Sequence, residues 1–165
     1  MALHLSDEAL QDSAELSAAA PTKAQIRQAV RRQIAAELYD ESAGDGTGTA
    51  IYTLSDPRDL RLIRYVGQTR APKGRFRQHL NSARLWLPDA LPWWVKSPKL
   101  RPLYQWIRDL YRDDGRLPTM IVREWQVSAS QVRAAERARI CECLAQGLPL
   151  LNYEAEILIR QLRLL

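Results

Sequence analysis

Sulfur and imidazole are scarce in this chain, which has two cysteines and two histidines among 165 residues. Cys141 and Cys143 lie two apart in a stretch that reads as helix, with no second Cys or His pair at zinc spacing. They are therefore expected to be reduced packing residues, outside any zinc knuckle or disulfide framework. Two histidines are too few for a histidine-rich metal centre. No run approaches the ~18 apolar residues of a membrane span, and Met1 to Ala20 shows no basic stretch followed by an apolar one. The expectation is a soluble, cytoplasmic protein with no membrane partner. Internal repeats and low-complexity tracts are missing as well.

What is present suffices for a real core, since 46% of the residues are hydrophobic, and one ordinary domain plus an extension is the expected organisation. Charge is unevenly divided. Residues 1–48 carry four Lys or Arg against eight Asp or Glu, and residues 49–165 carry twenty against eleven, a net −4 against a net +9. Glu41 to Gly48 is small, polar and Gly-rich, which marks a join. Residues 1–48 are accordingly read as an acidic helical extension with a Gly-rich linker, and 49–165 as the main domain. The densest basic run, Arg58 to Arg84, holds eight Lys or Arg against Asp59 alone. Such a patch suits a phosphate backbone, although a solvated face with no partner has the same composition.

Hydrophobic periodicity places the elements. Residues 6–18 read as a short helix and Lys23 to Leu38 as a stronger one, with Ile26, Val30, Ile34 and Leu38 at four-residue spacing. Thr49 to Leu54 and Leu62 to Gly67 are runs of β-branched and aromatic residues separated by Ser55-Asp56-Pro57-Arg58-Asp59, a turn sequence. Alternation puts Ala50, Tyr52 and Leu54 on one face of the first strand, and Ile63, Tyr65 and Gly67 on one face of the second. After Pro72 and Gly74 the pattern turns helical, with Phe76, Leu80, Ala83 and Leu87 as the apolar stripe and Arg75 and His79 four apart beside it. Pro88, Pro92, Pro98 and Pro102, with Trp86, Trp93 and Trp94, describe a Pro-punctuated loop. Its tryptophans are packing residues or platforms for base stacking. Leu100 to Asp114 reads as an amphipathic helix stopped by Gly115, and Pro118 to Trp125 as a third strand. A capping box at Ser128 and Gln131 opens a helix that runs to Gln146, and a last helix runs from about Asn152 to Leu165.

One carboxylate breaks the pattern. At 100° per residue, Val132, Ala135, Ile140, Cys143 and Leu144 form the core-facing stripe of the helix after Ser128, and Glu136 falls near its centre. A buried charge without a partner costs several kcal/mol. Glu136 must be protonated, paired with Arg133 or Arg139 three residues away, or bound to a cation.

Taken in chain order, Ala50-Ile51-Tyr52, Tyr65-Val66-Gly67-Gln68-Thr69, Arg75 with His79 four later, Glu136 on a long helix, and Pro149-Leu150-Leu151-Asn152 resemble the ordered motifs of the GIY-YIG nuclease family. The resemblance covers about 105 residues. Ala50 departs from it, standing where the family usually has glycine, and Gln68 stands where relatives often have lysine or serine. The fold it implies is α+β, a small three-stranded antiparallel sheet flanked by helices, here with the helical N-terminal extension.

The activity implied by the resemblance is metal-dependent hydrolysis of DNA phosphodiester bonds. Glu136 would be the single carboxylate on one Mg²⁺ or Mn²⁺, and Arg75 the clamp on a phosphate oxygen. Tyr52 or Tyr65 would be the general base, and His79 the residue that hydrogen-bonds a tyrosine or passes its proton. Asn152 would position Glu136, or simply cap the last helix. Arg64, Gln68, Arg70, Lys73, Arg77 and Arg84 are the expected contacts to double-stranded or branched DNA, and two copies can pair to cut both strands. The alternative is a nucleic-acid-binding module of the same fold without catalysis.

Overall fold

The computed structural model describes residues 21–87 and 97–165, so the helix expected over 6–18, Trp93, Trp94, Pro88 and Pro92 lie outside the described residues. The described chain is α+β. Helix α1 (Lys23–Glu37) starts on a capping box, in which Thr22 accepts from the Gln25 backbone N–H and the Gln25 side chain returns the bond. Its four-residue apolar line buries Ile26, Val30 and Ile34. Leu38 then turns extended (φ −105°, ψ 111°) and opens strand β1 (Leu38–Asp40).

Strands β2 (Thr49–Asp56) and β3 (Asp59–Thr69) form the expected hairpin, reversing through Pro57 and Arg58. The Asp56 carboxylate fastens this turn, accepting from the Arg58 backbone N–H at 2.9 Å and from its guanidinium at 2.9 and 2.7 Å. Helix α2 (Pro72–Ser82), helix α3 (Arg101–Asp114), strand β4 (Thr119–Gln126), helix α4 (Ala129–Ala145) and helix α5 (Tyr153–Arg163) follow. A 3₁₀ turn, Pro98–Leu100, precedes α3, and Gly115 stops it at φ +66°, where a side chain would be strained.

The expected three-stranded antiparallel sheet is corrected to a four-stranded mixed one of order β1-β4-β2-β3. β2 pairs antiparallel with β3 and β4, and β1 adds to the free edge of β4 in parallel. The fourth strand comes from the segment read as linker-bound extension: Leu38, expected as the end of a helix, pairs with Met120 instead. Ile26, Val30 and Ile34 share one cluster with Tyr52, Leu54, Phe76, Leu80, Leu103, Ile107 and Met120. Residues 23–40 therefore belong to the same folded unit as the rest, and the boundary expected at 41–48 runs between segments with a common core.

On the opposite sheet face, Ile51 and Val66 pack with Val132, Ile140 and Cys143 of α4 and Ala155 of α5. Because both faces are covered, β2 is buried from Ala50 to Asp56. Three register shifts disturb its pairing, two against β3 and one against β4. β4 inserts Arg123 opposite the Ile51–Tyr52 step, and β3 inserts Arg64 between Ile63 and Tyr65. The second overturns an expectation: Ile63 packs with the α4 side while Tyr65 packs with the α2 side, since the extra residue switches the face. A further correction concerns α2. Arg84 adopts φ +48° after the helix has ended at Ser82, so Leu87 is not part of its stripe. The buried guanidinium of Arg108 gathers the backbone oxygens of Ala83, Arg84 and Leu87.

Candidate active site

Tyr52 lies on the central strand directly opposite Gly67 of β3. A Cβ on residue 67 would stand 2.5 Å from both Cζ and the hydroxyl of Tyr52, so only glycine lets the ring lie across β3. α2 supplies the next layer. His79 places Nε2 2.6 Å from the Tyr52 hydroxyl, and Arg75, one turn earlier, directs Nε to the same oxygen at 3.4 Å. The Tyr52 hydroxyl and His79 Nε2 share one hydrogen bond, and the other ring nitrogen, Nδ1, is buried with no partner among the described residues. Tyr65 closes the cluster, with its ring centroid 6.2 Å from Tyr52 and 5.5 Å from His79. The four residues paired in sequence as two tyrosines and one Arg-x₃-His step thus meet in one place.

Electrostatics sort the two phenols. Tyr52 is fully enclosed, and its hydroxyl is held well above the ordinary tyrosine range, first by burial and next by Tyr65, with Arg75 pulling the other way. Tyr65 is half-buried and is raised by burial against the same opposing guanidinium. The charge of Glu136 raises both. His79 is pushed down to about 3, by burial first and then by Arg75, so its imidazole is neutral throughout the physiological range. Charging it at neutral pH costs on the order of 5 kcal/mol at ~1.4 kcal/mol per pH unit. Of its two expected roles, the geometry gives His79 the hydrogen bond to tyrosine.

Glu136 sits on α4, one turn from Val132 and one from Ile140, and is half-buried. Neither arginine expected to pair with it does so: Arg139 goes to Glu124 and Glu142, and no ion pair reaches Glu136 among the described residues. Among the described residues it has one hydrogen bond, from Gln68 Nε2 to Oε2 at 2.9 Å. Burial first, and the neighbouring Glu154 charge second, raise its pKa, while the Gln68 bond opposes them. Gln68 thereby acquires a definite place beside the carboxylate.

Asn152 occupies the N-cap position of α5 but makes no side-chain cap bond. Its amide clasps the backbone of Val66 instead, with Val66 N–H donating to Oδ1 at 2.9 Å and Nδ2 donating to the Val66 carbonyl at 2.7 Å. The Leu151 N–H adds a bond to the Arg64 carbonyl at 2.7 Å. The start of α5 is thus stitched to β3 between Tyr65 and Gly67, and α5 brings Glu154 toward Glu136.

The basic residues separate into two groups. Arg70, Lys73, Arg77 and Arg84 are exposed, whereas Arg64 is half-buried with its guanidinium 5.5 Å from the Trp106 ring centre. Gly67 stood in the expected motif without a role of its own, and two further site residues, Gln78 and Tyr104, had no part in the expectation. Gly67 carries the steric requirement above. Gln78 accepts from Arg75 Nη1 at 2.6 Å, and buried Tyr104 packs its ring 6.2 Å from His79. Gln78 is three residues from Arg75 and Tyr104 three from Ile107, so helical spacing alone pointed to both. Comparisons of the chain with protein-family models, curated proteins and solved structures find no match.

Proposed function

We propose that this chain is a DNA endonuclease of the GIY-YIG type, hydrolysing phosphodiester bonds with one divalent cation. The carrying observation is a half-buried carboxylate without a cationic partner among the described residues, Glu136, whose charge acts on two phenols that share a guanidinium and a neutral imidazole. The sheet supports the reading too, because β2, β3 and β4 form an antiparallel trio flanked by helices, to which β1 is an addition.

The donor set fits a hard cation. Glu136 offers oxygen, its Oε1 carries no protein hydrogen bond among the described residues, and a bound cation would relieve the burial and Glu154 repulsion that raise its pKa. No cluster of three or more His, Cys, Asp or Glu surrounds it among the described residues, so any cation there keeps most of its waters, as Mg²⁺ does. When bound, Mg²⁺ or Mn²⁺ supplies charge neutralisation at a phosphate oxygen and a more acidic water.

The protein's own residues divide the remaining work. Arg75 is held on one side by Gln78 and on the other by Tyr52, which aims its remaining donors toward a phosphate. Tyr52, enclosed and bonded to His79, positions that guanidinium. Tyr65 is the half-buried phenol, and because burial disfavours a standing phenolate it acts as a relay, taking a proton from the attacking water as it hands its own to a phosphate oxygen. Nicking of plasmid and branched DNA with Mg²⁺, wild type against Glu136→Ala, tests the assignment, and equal activity of the two would refute it.

One observation favours a second reading, that of a nucleic-acid-binding module without catalysis: both phenols are held neutral and His79 is a very weak base. DNA binding with a steep salt dependence, and no cleavage over several metals and substrates, would mark that case.

A further inference from the structure

Beside the Tyr52 cluster, α1 and α2 enclose a groove lined by Lys23 and Arg27 of α1, Arg77, Gln78 and Asn81 of α2, and Arg84 and Trp86 just beyond it. Among the described residues lining it there are four cations and no carboxylate. None of the four cations is ion-paired among the described residues, unlike Arg58, Arg112, Arg139 and Arg160 elsewhere on the surface. Trp86 draws two of them together, with Lys23 Nζ 5.1 Å and the Arg84 guanidinium 5.9 Å from its ring centre. Cation–π attraction of ~0.5–1 kcal/mol for each offsets part of the repulsion between these charges, and so keeps them converged.

Like charges gathered without counter-ions are unfavourable unless a polyanion neutralises them. Gln78 joins this groove to the candidate active site, since the same side chain lines the groove and accepts from Arg75. Gly74 to Ser82 spans about 13 Å of helix at ~1.5 Å per residue, the rise of about four base-pair steps at ~3.4 Å. We infer that this groove is a track for the phosphate backbone of DNA, leading to Arg75, and that α1 is half of it. The ligand identity rests on the nuclease reading; the groove and its charge do not. Residues 23–37 then have two tasks, completing the core with Ile26, Val30 and Ile34 and holding the substrate with Lys23 and Arg27.

The experiment measures anisotropy of a labelled 30-base-pair duplex in EDTA, where no cleavage occurs, across a salt series. It compares wild type with a Lys23→Gln/Arg27→Gln double variant and with Arg160→Gln/Arg163→Gln as a charge-matched control on α5. Both pairs are exposed, so folding is retained and is checked by thermal melting. The double variant is expected to weaken binding roughly ten-fold or more near 0.1 M salt, and to flatten the log–log salt slope by about 2. The control should stay within about two-fold of wild type. Binding by the double variant equal to that of the control overturns the track, as does polyglutamate displacing the labelled duplex from wild type more readily than unlabelled duplex does at equal charge. Failures are separable: an active Glu136→Ala with lost binding in the double variant sinks the catalytic assignment alone, and an inert Glu136→Ala with unchanged binding in the double variant sinks the track alone.

Discussion

The phenol of Tyr52 rests on the backbone of Gly67, two residues that pair across β2 and β3, with no room between them for a methyl group. That contact lets Tyr52 reach His79 at 2.6 Å while remaining wholly inside the protein. The small residue of the second strand thus determines where the functional group of the first one points.

Gly67→Ala is therefore expected to destabilise the fold by about 1–3 kcal/mol, the usual cost of overpacking. The Tyr52 ring cannot swing aside without breaking its bond to His79. Urea denaturation checks the size, and retention of wild-type stability together with wild-type nicking would contradict the account.

Tyr52→Phe and Tyr65→Phe should separate stability from catalysis. The first leaves buried His79 Nε2 without its partner, at a cost of about 1–3 kcal/mol. The second removes a half-buried hydroxyl and should cost far less in stability while lowering the cleavage rate roughly 100-fold or more. Denaturation midpoints and single-turnover rates of the two variants give the comparison.

Glu136→Gln is expected to stabilise the protein at neutral pH. The folded pKa of this acid is raised, so its ionised form is penalised in the native state above the ordinary value of 4.5, and the penalty vanishes when pH falls below that value. The gain from Gln should accordingly fade on acidification. Mg²⁺ should stabilise wild type and not the variant, by about 1.4 kcal/mol at ten times Kd, read as a rise in melting temperature. Melting curves over pH and Mg²⁺ measure both, and a destabilised Gln variant would contradict the burial argument.

His79 gives the opposite slope. Its folded pKa of about 3 lies below the ordinary 6.5, so the unfolded chain binds the extra proton between those values, and stability falls as pH drops from 6.5 toward 3. The slope is up to ~1.4 kcal/mol per pH unit. His79→Gln should lose that part of the slope while being less stable at pH 7, which melts in matched buffers will reveal.

Asn152→Ala should cost about 2–4 kcal/mol, because both Val66 backbone groups lose a buried partner at once. A cap alone would cost ~1 kcal/mol. Equilibrium unfolding therefore distinguishes the clasp from the capping role that its position suggests.

Local chemistry was legible in the sequence because it depends on near neighbours. The hairpin of β2 and β3, the Ser128 capping box, the Gly115 stop and the Arg75–His79 step all follow from spacing within a few residues. Periodicity also placed Glu136 in line with Val132 and Ile140, which is where it lies, half-buried. What tertiary structure decided depends on partners far apart in the chain. β1 forms only because β4 has a free edge for Leu38, some eighty residues away. One inserted residue, Arg64, sends Ile63 and Tyr65 to opposite faces, and alternation cannot anticipate a bulge. Asn152 gives up the local cap for Val66, because an unpaired backbone group buried on β3 costs more than an exposed helix end. The sequence determined which element holds each of these side chains, since periods of 2 and 3.6 are local properties. Which of them meet, and which phenol is fully enclosed while the other is half-buried, was decided by packing across the sheet.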